Sequence, residues 1–368
     1  MNRVGDQSTN RMLKIRVRGR LFLLPRDTED YIQFLEGDTA DEAARFLSDW
    51  FGTPDVILQR TSGSTGTPKV LSLSKQAMRA HAERTNAFFG FGTGHRLCAP
   101  LPISSIAWKM TIVRAQLAEA EVLHLEPSSA DWLEHVDQAD FFSIVPAQLG
   151  ALLESGVMPS SKLFLIGGAA VSSDQRQRLS TLNPPSEFWQ SYGMSESLSH
   201  LALRRLHPDQ QPGFGPLPGV EIGTGPDGAL TFVDRITGLE GTTTDRVEWI
   251  DPGHFQWVGR LDAALNVGGY KVLPEPLERF WTEQLHTRVL LSALPDPQWG
   301  DVMCLVVEAR FDPQPFEAIR EHLSALPKQE RPRAVVFLES LPEHSPGKWN
   351  RAGLRAWLAE HPEAILWI

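Results

Sequence analysis

The sequence predicts an α/β fold, with a large N-terminal domain built on a mainly parallel sheet, a small β-rich unit, and a smaller α+β C-terminal domain. Between residues 55 and 193, short apolar runs alternate with helical patterns, which is typical of parallel strands covered on both faces. Residues 212–260 are rich in Gly, Pro and Thr with short β-branched runs and predict a small antiparallel unit. After these residues, apolar runs again alternate with helical patterns. We therefore expect an N-terminal domain over 1–261 and a C-terminal domain over 262–368.

The individual elements are predicted from periodicity and from helix start and stop signals. The predicted N-terminal strands lie at 55–59, 96–99, 121–125, 141–145, 162–167 and 187–193. The predicted helices between them lie near 75–89, 104–118, 146–154 and 174–182. The C-terminal domain is predicted to hold strands at 288–294, 301–309 and 334–340, and helices near 316–326 and 350–360. In the first helix, Met78, Ala82 and Phe89 recur at helical spacing, and Gly90 follows as a stop signal.

Length and charge exclude several classes of function. The chain has 368 residues, 42% hydrophobic content and a formal net charge of −10, so its overall field repels nucleic acid and anionic membranes. The early apolar run LFLL at 21–24 is too short for a signal peptide or a membrane span, and a cytoplasmic protein is expected.

Cys98 and Cys304 lie in apolar strand-like runs and are expected to be reduced core thiols.

A stretch of small hydroxyl residues, glycines and one lysine, RTSGSTGTPKV at 60–70, predicts a phosphate-binding loop. Glycines let backbone N–H groups approach a ligand, the hydroxyls add donors, and Lys69 supplies a positive charge. The spacing is not that of a Walker loop. Because the alternating VLSLS follows Lys69, we expect the loop to join two strands. On these residues alone, a flexible hairpin turn is the alternative.

The string TSGSTGTPK resembles the phosphate loop of the acyl-adenylate-forming (AMP-binding) superfamily, which includes acyl- and aryl-CoA ligases, peptide-synthetase adenylation domains and luciferases. Four further stretches match that family's motifs in the same order: SYGMSES at 191–197, TTTDRVEW at 242–249, GRLDAALNVGGYKVLPEPLE at 259–278 and SPGKWNR at 345–351. One such motif is a weak signal, whereas five in order are specific. The resemblance implies an AMP-forming acid–thiol ligase that uses ATP, Mg²⁺ and CoA.

The resemblance also assigns roles to residues of the N-terminal domain. The residues implied in ATP binding are Thr61, Ser62, Gly63, Ser64, Thr65, Gly66, Lys69, Tyr192 and Gly193, with Asp245 and Arg260 at the ribose. Gly168 and Ala169 follow an apolar strand end, where open α/β sheets bind ligands, and are expected to line the adenine pocket; a tight strand-to-helix turn is the alternative. Ser195 and Glu196 are implied as catalytic. Ser195 would hydrogen-bond the carboxylate or the α-phosphate, and Glu196 would bind Mg²⁺, since a hard cation prefers carboxylate and phosphate oxygens.

Near the end of the chain the resemblance implies a mobile small domain. Asp262 would be its hinge, and Gly268 and Gly269 would line the channel for CoA. Lys348 is implied as the catalytic residue that bridges the substrate carboxylate and the α-phosphate during adenylation. The family rotates this domain between its two half-reactions, and a hinge of a few residues suits such a motion.

The helix near 104–118 is expected to border the acid pocket and carries two cations. Lys109 and Arg114 lie five residues apart, so we expect only one to point inward, and the alternative is two solvated charges. An inward cation favours a substrate with a second carboxylate. The strings IAWKMTIVRA and GMSESLSHLALRR resemble short o-succinylbenzoate–CoA ligases of menaquinone biosynthesis. Lys109 is then the expected contact of that carboxylate, together with Ser197 and His200, and Ser199 as a further candidate.

Other functions stay open on the sequence. Only about 60 residues precede the phosphate loop, fewer than in most of the superfamily, so an N-terminal subdomain is expected to be largely absent and a homodimer is a possibility. Alternative functions are a ligase for another aryl or fatty acid and an enzyme that loads a carrier protein. A non-catalytic nucleotide-binding protein is a further alternative. The retention of five residues together argues against a non-catalytic protein: Lys69, Glu196, Asp245, Arg260 and Lys348.

Overall fold

The computed structural model describes residues 11–35, 37–61, 69–128, 130–157, 159–160, 162–310, 313–345 and 348–368. The chain forms two compact units. The first comprises Met1–Ile222, Phe232–Gly241 and Ile250–His254, and the second comprises Gly223–Thr231, Thr242–Trp249 and Phe255–Ile368. The boundary predicted near Leu261 stays a prediction.

The first unit alternates strands and helices, as expected from the apolar runs. Its elements in chain order are β1 (Leu13–Val17), β2 (Arg20–Leu24), α1 (Thr28–Phe34), α2 (Gly37–Phe51), β3 (Val56–Thr61), β4 (Lys69–Ser74), α3 (Lys75–Phe89), β5 (Arg96–Cys98), α4 (Ile106–Ala118), β6 (Glu121–His124), β7 (Phe141–Ile144), α5 (Pro146–Ser155), β8 (Leu163–Ile166), α6 (Ser173–Leu182), β9 (Glu187–Gly193), β10 (His200–His207) and β11 (Gly215–Pro216).

A nine-stranded sheet organises this unit, in the order β11-β10-β9-β8-β7-β5-β6-β1-β2. Strands β9, β8, β7, β5, β6 and β1 pair in parallel, and β2, β10 and β11 add antiparallel strands at the two ends. The parallel strands are buried, as in Phe141–Ile144, because helices cover both faces. The α/β prediction is therefore confirmed, and the carboxyl ends of the parallel strands meet at one edge of the sheet.

Strands β1 and β2 were not predicted from the sequence. They form a hairpin whose turn, Arg18 and Gly19, has positive φ angles of 46° and 82°, which are the angles that a two-residue hairpin turn requires. Strand β1 then pairs in parallel with β6, so that Ile15 lies opposite Val122. The alternation in LKIRV was a usable local signal, whereas the partner strand lies about a hundred residues away.

Two helices that border the proposed site are capped as the sequence suggests. The Ser74 hydroxyl accepts the N–H of Ala77 at the start of α3, and Gly90 ends the helix at a φ of 71°. Helix α4 begins after Ser105, whose hydroxyl accepts the N–H of Trp108. Every residue from Trp108 to Leu117 is buried, so α4 has no solvent-facing side over these three turns.

The next strands, β12 (Val220–Thr224), β13 (Ala229–Asp234), β14 (Leu239–Asp251) and β15 (His254–Arg260), form a four-stranded sheet in sequence order. This is the small β-rich unit that the Gly, Pro and Thr content predicts. Short 3-10 turns aside, the rest of the chain contains β16 (Leu265–Val267), β17 (Tyr270–Val272), α7 (Pro274–Leu285), β18 (Val289–Asp296), β19 (Gly300–Glu308), α8 (Pro313–His322), β20 (Ala334–Leu338), β21 (Glu343–Ser345), β22 (Lys348–Trp349), α9 (Arg351–Glu360) and β23 (Leu366–Trp367).

The second unit has its own core around the sheet β18-β19-β20-β23. Trp281 of α7 and Ile319 of α8 pack with Met303 in one buried cluster. Leu354 and Leu358 of α9 pack with Cys304 in another. Because Met303 and Cys304 are neighbours on β19, the two clusters lie on opposite faces of the sheet. This arrangement confirms the predicted α+β character.

Cys98 and Cys304 are free and buried, as predicted. Burial raises the pKa of the Cys98 thiol and raises that of Cys304 to about 12. Within the part of the chain that the structure describes, each helix is too short or too polar to span a bilayer.

A buried ion pair, Arg84 of α3 with Asp234, stabilises the first unit. The Arg84 Nη1 to Asp234 Oδ1 distance is 2.8 Å, and the two side chains are 3% and 0% exposed. We expect Asp234→Asn to lower the free energy of unfolding by about 3 kcal/mol, because it leaves a buried guanidinium without its counter-charge. Urea unfolding measures the change. Arg235→Gln, which removes an exposed partner of Glu221, is the control and should leave the unfolding midpoint unchanged.

Candidate active site

The predicted phosphate loop lies between two paired strands. Strands β3 and β4 are antiparallel, with Thr61 opposite Lys69, so the loop joins two strands as expected and is not a Walker loop. Residues 62–68 lie outside the described residues, and with them Ser62, Gly63, Ser64, Thr65 and Gly66. Of Thr61 and Lys69 the structure describes the backbone alone. Their roles stay predictions.

Two other predicted nucleotide segments lie side by side at the carboxyl edge of the parallel sheet. Strands β8 and β9 are parallel neighbours, with Ile166 opposite Gln190. The turn after Ile166 holds Gly167, where a Cβ would lie 2.6 Å from the Ser191 hydroxyl oxygen, and Gly168 at a φ of 84°. Gly168 and Ala169 thus lie near the strand end that carries Tyr192, at the edge where open α/β sheets bind ligands.

The turn after β9 has a backbone that only glycine permits. A Cβ on Gly193 would collide with the carbonyl oxygen of Ser199 and the Cα of His200. Next comes a 3-10 turn, Ser195–Ser197. The buried Ser197 hydroxyl lies 2.7 Å from the Ser199 carbonyl oxygen and accepts the Met194 N–H at 3.1 Å.

The predicted site residues in and beside this turn fall into two groups, accessible and buried. Ser195 is half-buried and Glu196 is exposed, so both remain accessible to a ligand. Tyr192 is buried, with its ring 5.8 Å from that of Phe214. Ser197, which was expected to contact the substrate, instead holds the turn together through its hydroxyl.

His200 lies behind this turn in a buried polar cluster. Its Nε2 is 3.3 Å from the Thr85 hydroxyl, its Nδ1 is 3.2 Å from the Ser199 hydroxyl, and its carbonyl oxygen is 2.8 Å from His81 Nε2. Burial, and then the neighbouring His81 and two arginines, lower the pKa of His200 well below its usual value. His200 is therefore neutral at physiological pH, and it can orient Ser199 but cannot supply a positive charge.

Both cations of α4 are buried, which corrects the prediction that only one points inward. The Lys109 Nζ donates to Gln59 Oε1 at 2.7 Å and lies 5.8 Å from the Phe46 ring centroid. Arg114 Nη2 donates to the Ser199 hydroxyl at 3.0 Å. The prediction failed because it assumed a helix with one solvated side, whereas α4 is enclosed on all sides.

Arg114 contacts Ser199 in the turn after β9, and sequence reasoning gave it less weight than Lys109. Burial lowers the pKa of its guanidinium to about 9, so it stays charged at neutral pH. Its Nε has no hydrogen-bond partner among the described residues. A buried guanidinium without a carboxylate partner there is costly, which makes it a candidate site for an anion.

The second unit brings together three of the residues predicted near the ribose and the hinge. Arg260 forms two hydrogen bonds with Asp262, at 2.8 and 2.7 Å, and a third with the Thr244 hydroxyl at 3.0 Å. The Asp262 hydrogen bond contributes most to raising the pKa of Arg260, followed by the charges of Asp262, Asp245 and Glu275. The predicted hinge residue is thus tied to a predicted ribose contact.

The remaining predicted residues of this unit lie in turns. Gly268 and Gly269 join β16 to β17 with φ angles of 55° and 85°, and the Gly268 N–H donates to the Asp301 carbonyl at 3.1 Å. Lys348 begins β22, paired with Ser345, and its side chain lies outside the described residues.

Mg²⁺ in nucleotide enzymes is held by one or two carboxylates together with substrate phosphates. The exposed carboxylate of Glu196 fits that mode of binding. Over the described ranges, no group of three His, Cys, Asp or Glu side chains could hold a metal ion by itself.

Comparison with known proteins gives the family. Residues 52–223 match the family described as AMP-binding enzyme. This region belongs to the AMP-binding enzymes. Curated relatives of the chain include the uncharacterized acyl–CoA ligase YhfT of Bacillus subtilis, 25% identical over 82% of this chain and 68% of that protein. A 4-chlorobenzoate–CoA ligase of Arthrobacter is 26% identical over 82% and 66%. A 2-succinylbenzoate–CoA ligase of Salmonella typhimurium is 25% identical over 92% and 79%.

Solved structures agree with the fold. An AMP-forming acyl-CoA synthetase-like protein of Dyadobacter fermentans has a TM-score of 0.56 and 28% identity, over 89% of this chain and 97% of that one. An o-succinylbenzoate–CoA synthetase of Bacillus subtilis, solved with ATP and a magnesium ion, has a TM-score of 0.70 and 20% identity, over 81% and 69%.

The chain spans about two thirds of the length of the first two curated relatives. At the level of enzyme class, the family match and the relatives named as CoA ligases confirm an AMP-binding enzyme of the acid–CoA ligase type. The prediction of ATP, Mg²⁺ and CoA is confirmed at the same level.

We expect Gly193→Ala to destabilise the AMP-binding region by about 1–3 kcal/mol, because its Cβ would push apart two backbone segments that have no room to move. The same displacement should weaken nucleotide binding, measured by calorimetry with AMP. Gly92→Ala is the control, since a Cβ there meets nothing within 4 Å. Equal thermal stability and equal AMP affinity in the two variants would contradict the expectation.

Proposed function

We propose that the chain activates an aromatic dicarboxylic acid as its acyl-adenylate and transfers the acyl group to CoA, with o-succinylbenzoate as the substrate. The observation that carries this proposal is the buried Arg114, which donates to Ser199, three residues after Glu196. A substrate with two carboxylates can place one at the reacting phosphate and the other at this guanidinium. The 2-succinylbenzoate–CoA ligases among the relatives support the same acid.

The proposed chemistry has two steps. First, a carboxylate oxygen of the acid attacks the α-phosphorus of ATP, a new P–O bond forms, the bond to the β-phosphate breaks, and pyrophosphate leaves. Second, the CoA sulfur attacks the acyl carbon, a C–S bond forms, the C–O bond to AMP breaks, and the thiol proton passes to solvent. AMP is the second leaving group.

Each proposed residue has one task in the first step. The loop donors and Lys69 bind the β- and γ-phosphates and stabilise charge on the leaving group. Ser195 orients the reacting carboxylate, and Lys348 bridges it to the α-phosphate. Mg²⁺, held by Glu196 and phosphate oxygens, neutralises charge on the phosphates. In the second unit Asp245 and Arg260 bind the ribose hydroxyls.

Mass spectrometry tests the proposal directly. The protein is incubated with ATP, Mg²⁺, CoA and one acid at a time: o-succinylbenzoate, benzoate, 4-chlorobenzoate or octanoate. We expect o-succinylbenzoyl-CoA to form fastest, with pyrophosphate release also seen without CoA. If benzoate, 4-chlorobenzoate or octanoate reacts faster, the assigned substrate is another aryl acid or a fatty acid and not o-succinylbenzoate. Pyrophosphate release without any thioester would favour a carrier-protein acceptor, and no release with any acid would contradict the enzyme.

The cation that holds the second carboxylate can be identified by substitution. We expect Arg114→Met to raise the KM for o-succinylbenzoate roughly 10- to 100-fold, because a hydrogen bond to a charged group contributes about 1.5–3 kcal/mol. The KM for benzoate should not change. Lys109→Met is the matched variant, and a larger shift in that variant would assign the carboxylate to Lys109 instead.

The hinge role of Asp262 is also testable. We expect Asp262→Pro to slow thioester formation from a supplied acyl-adenylate more than it slows adenylation, because proline fixes φ where the small domain would rotate. Asp262→Ala controls for loss of the Arg260 contacts, since it removes the same carboxylate and keeps backbone freedom. Equal loss of both half-reactions in the proline variant would remove the hinge assignment.

Two predictions about the whole protein stay predictions. They are a cytoplasmic location and a homodimer. Exposed apolar side chains on the β3–β4 hairpin, Leu58 and Val70, support a covered face there. Light scattering over a range of concentrations tests the dimer, and a constant monomer mass would exclude it.

A further inference from the structure

Lys348 lies on a short two-stranded hairpin whose position is fixed by charged contacts on both sides. Strands β21 and β22 pair with Ser345 opposite Lys348 and Glu343 opposite Trp349. Three residues after Lys348, Arg351 begins α9. Two residues after Lys348, the Asn350 side chain caps that helix by accepting the Gly353 N–H at 2.8 Å. Anything that fixes Arg351 therefore fixes the backbone from which Lys348 extends.

Arg351 is fixed by a two-point contact with Glu278 of α7. Its Nη1 and Nη2 donate to Glu278 Oε1 and Oε2 at 2.7 and 2.8 Å. Such a fork allows one orientation of the guanidinium, which a single contact would not impose. The Glu278 carboxylate is itself held, since its Oε1 accepts the Leu291 N–H of β18 at 2.8 Å. Glu278 is 8% exposed, so the contact is screened little by solvent.

Arg288 also holds the open end of the hairpin, where Glu343 lies opposite Trp349. This guanidinium donates to Glu308 and to Glu343, and it lies 5.4 Å from the Trp349 ring centroid. The residues on either side of Lys348 are thus connected to β18, β19 and α7. All of these contacts lie within the second unit.

A second acid beside Arg351 distinguishes this cluster from an ordinary ion pair. Glu275, one helical turn before Glu278, has an oxygen 3.9 Å from Arg351 Nη2. Its other oxygen, Oε2, is buried and has no hydrogen-bond partner among the described residues. Two acids on one side of α7 therefore share one guanidinium. For stability alone one would suffice, and a buried ion pair is weak evidence for a net gain in the free energy of folding.

We infer that Glu278 and Arg351 are positioning residues that hold Lys348 in place for the adenylation step. The inference rests on the proposed role of Lys348. Glu278 does not touch the substrates in this scheme and acts only through Arg351 and the start of α9. A lysine that must bridge two reacting groups tolerates little displacement, because errors of about 1 Å can cost roughly 100-fold in rate.

The test separates the two half-reactions. Adenylation is followed as pyrophosphate release, with the acid among o-succinylbenzoate, benzoate and octanoate that reacts fastest with the wild type. Thioester formation is followed by supplying the adenylate of that acid together with CoA. For Glu278→Gln we expect the kcat of adenylation to fall roughly 10- to 100-fold with the KM for the acid unchanged, and thioester formation to stay within about twofold of wild type. Arg351→Lys, which keeps the charge and loses the fork, should give an intermediate loss.

A matched control separates positioning from loss of stability. Arg16 and Glu121 form a comparable two-point pair in the first unit, at 2.7 and 3.0 Å, with 31% and 16% exposure against 26% and 10% for Arg351 and Glu278. Glu121 begins β6, at the sheet edge opposite to the ligand edge. Arg16→Met should lower the melting temperature to a similar degree as Glu278→Gln and leave both half-reactions unchanged.

The Lys348→Ala variant distinguishes a failure of the positioning inference from a failure of the proposed role of Lys348. If Lys348→Ala slows adenylation while Glu278→Gln and Arg351→Lys do not, the positioning inference is wrong and the role of Lys348 stands. If Lys348→Ala leaves adenylation unchanged, the proposed role of Lys348 is wrong and the inference falls with it. Equal loss of both half-reactions in folded Glu278→Gln protein would assign the pair a purely structural role.

Discussion

The contact between Gly193 and the backbone of Ser199 and His200 is the constraint on which the turn after β9 depends. Here the last parallel strand ends and the chain returns as antiparallel β10. Because the two segments touch without a side chain between them, the six residues in the turn have almost no freedom. Glu196 is thereby placed at the surface, while Ser199 and His200 are directed back against α3 and α4.

Four cations of the described part of the chain have two kinds of hydrogen-bond partner, carboxylates and neutral polar groups. Arg84 and Arg351 are each matched by a carboxylate at hydrogen-bond distance. Lys109 and Arg114 are buried on α4 with neutral partners, an amide and a hydroxyl. In a matched pair the attraction between the charges offsets part of the cost of burial, whereas a cation buried against neutral groups has no such offset. That contrast is why we propose an acid pocket beside Arg114.

Most of the regular structure could be predicted where local signals were strong. Helix α3 spans 75–89 as expected, because a serine cap and a glycine stop mark its ends. The grouping of Gly168 with Tyr192 follows from the rule that parallel strands end at one edge. The β1–β6 pairing and the contact of Arg114 with Ser199 could not be predicted, since each joins residues that lie 85 or more positions apart. The burial of both α4 cations also depends on neighbours that no helical pattern reveals.

The burial of the chain's two cysteines has a practical consequence for assays. A disulfide reagent such as Ellman's reacts with thiolates that it can reach, and burial keeps both protein sulfurs protonated and inaccessible. The loss of free CoA thiol can therefore be measured by the absorbance of the reagent in the presence of the folded protein, because its two cysteines do not add a background signal. A slow rise in that background would report unfolding rather than turnover.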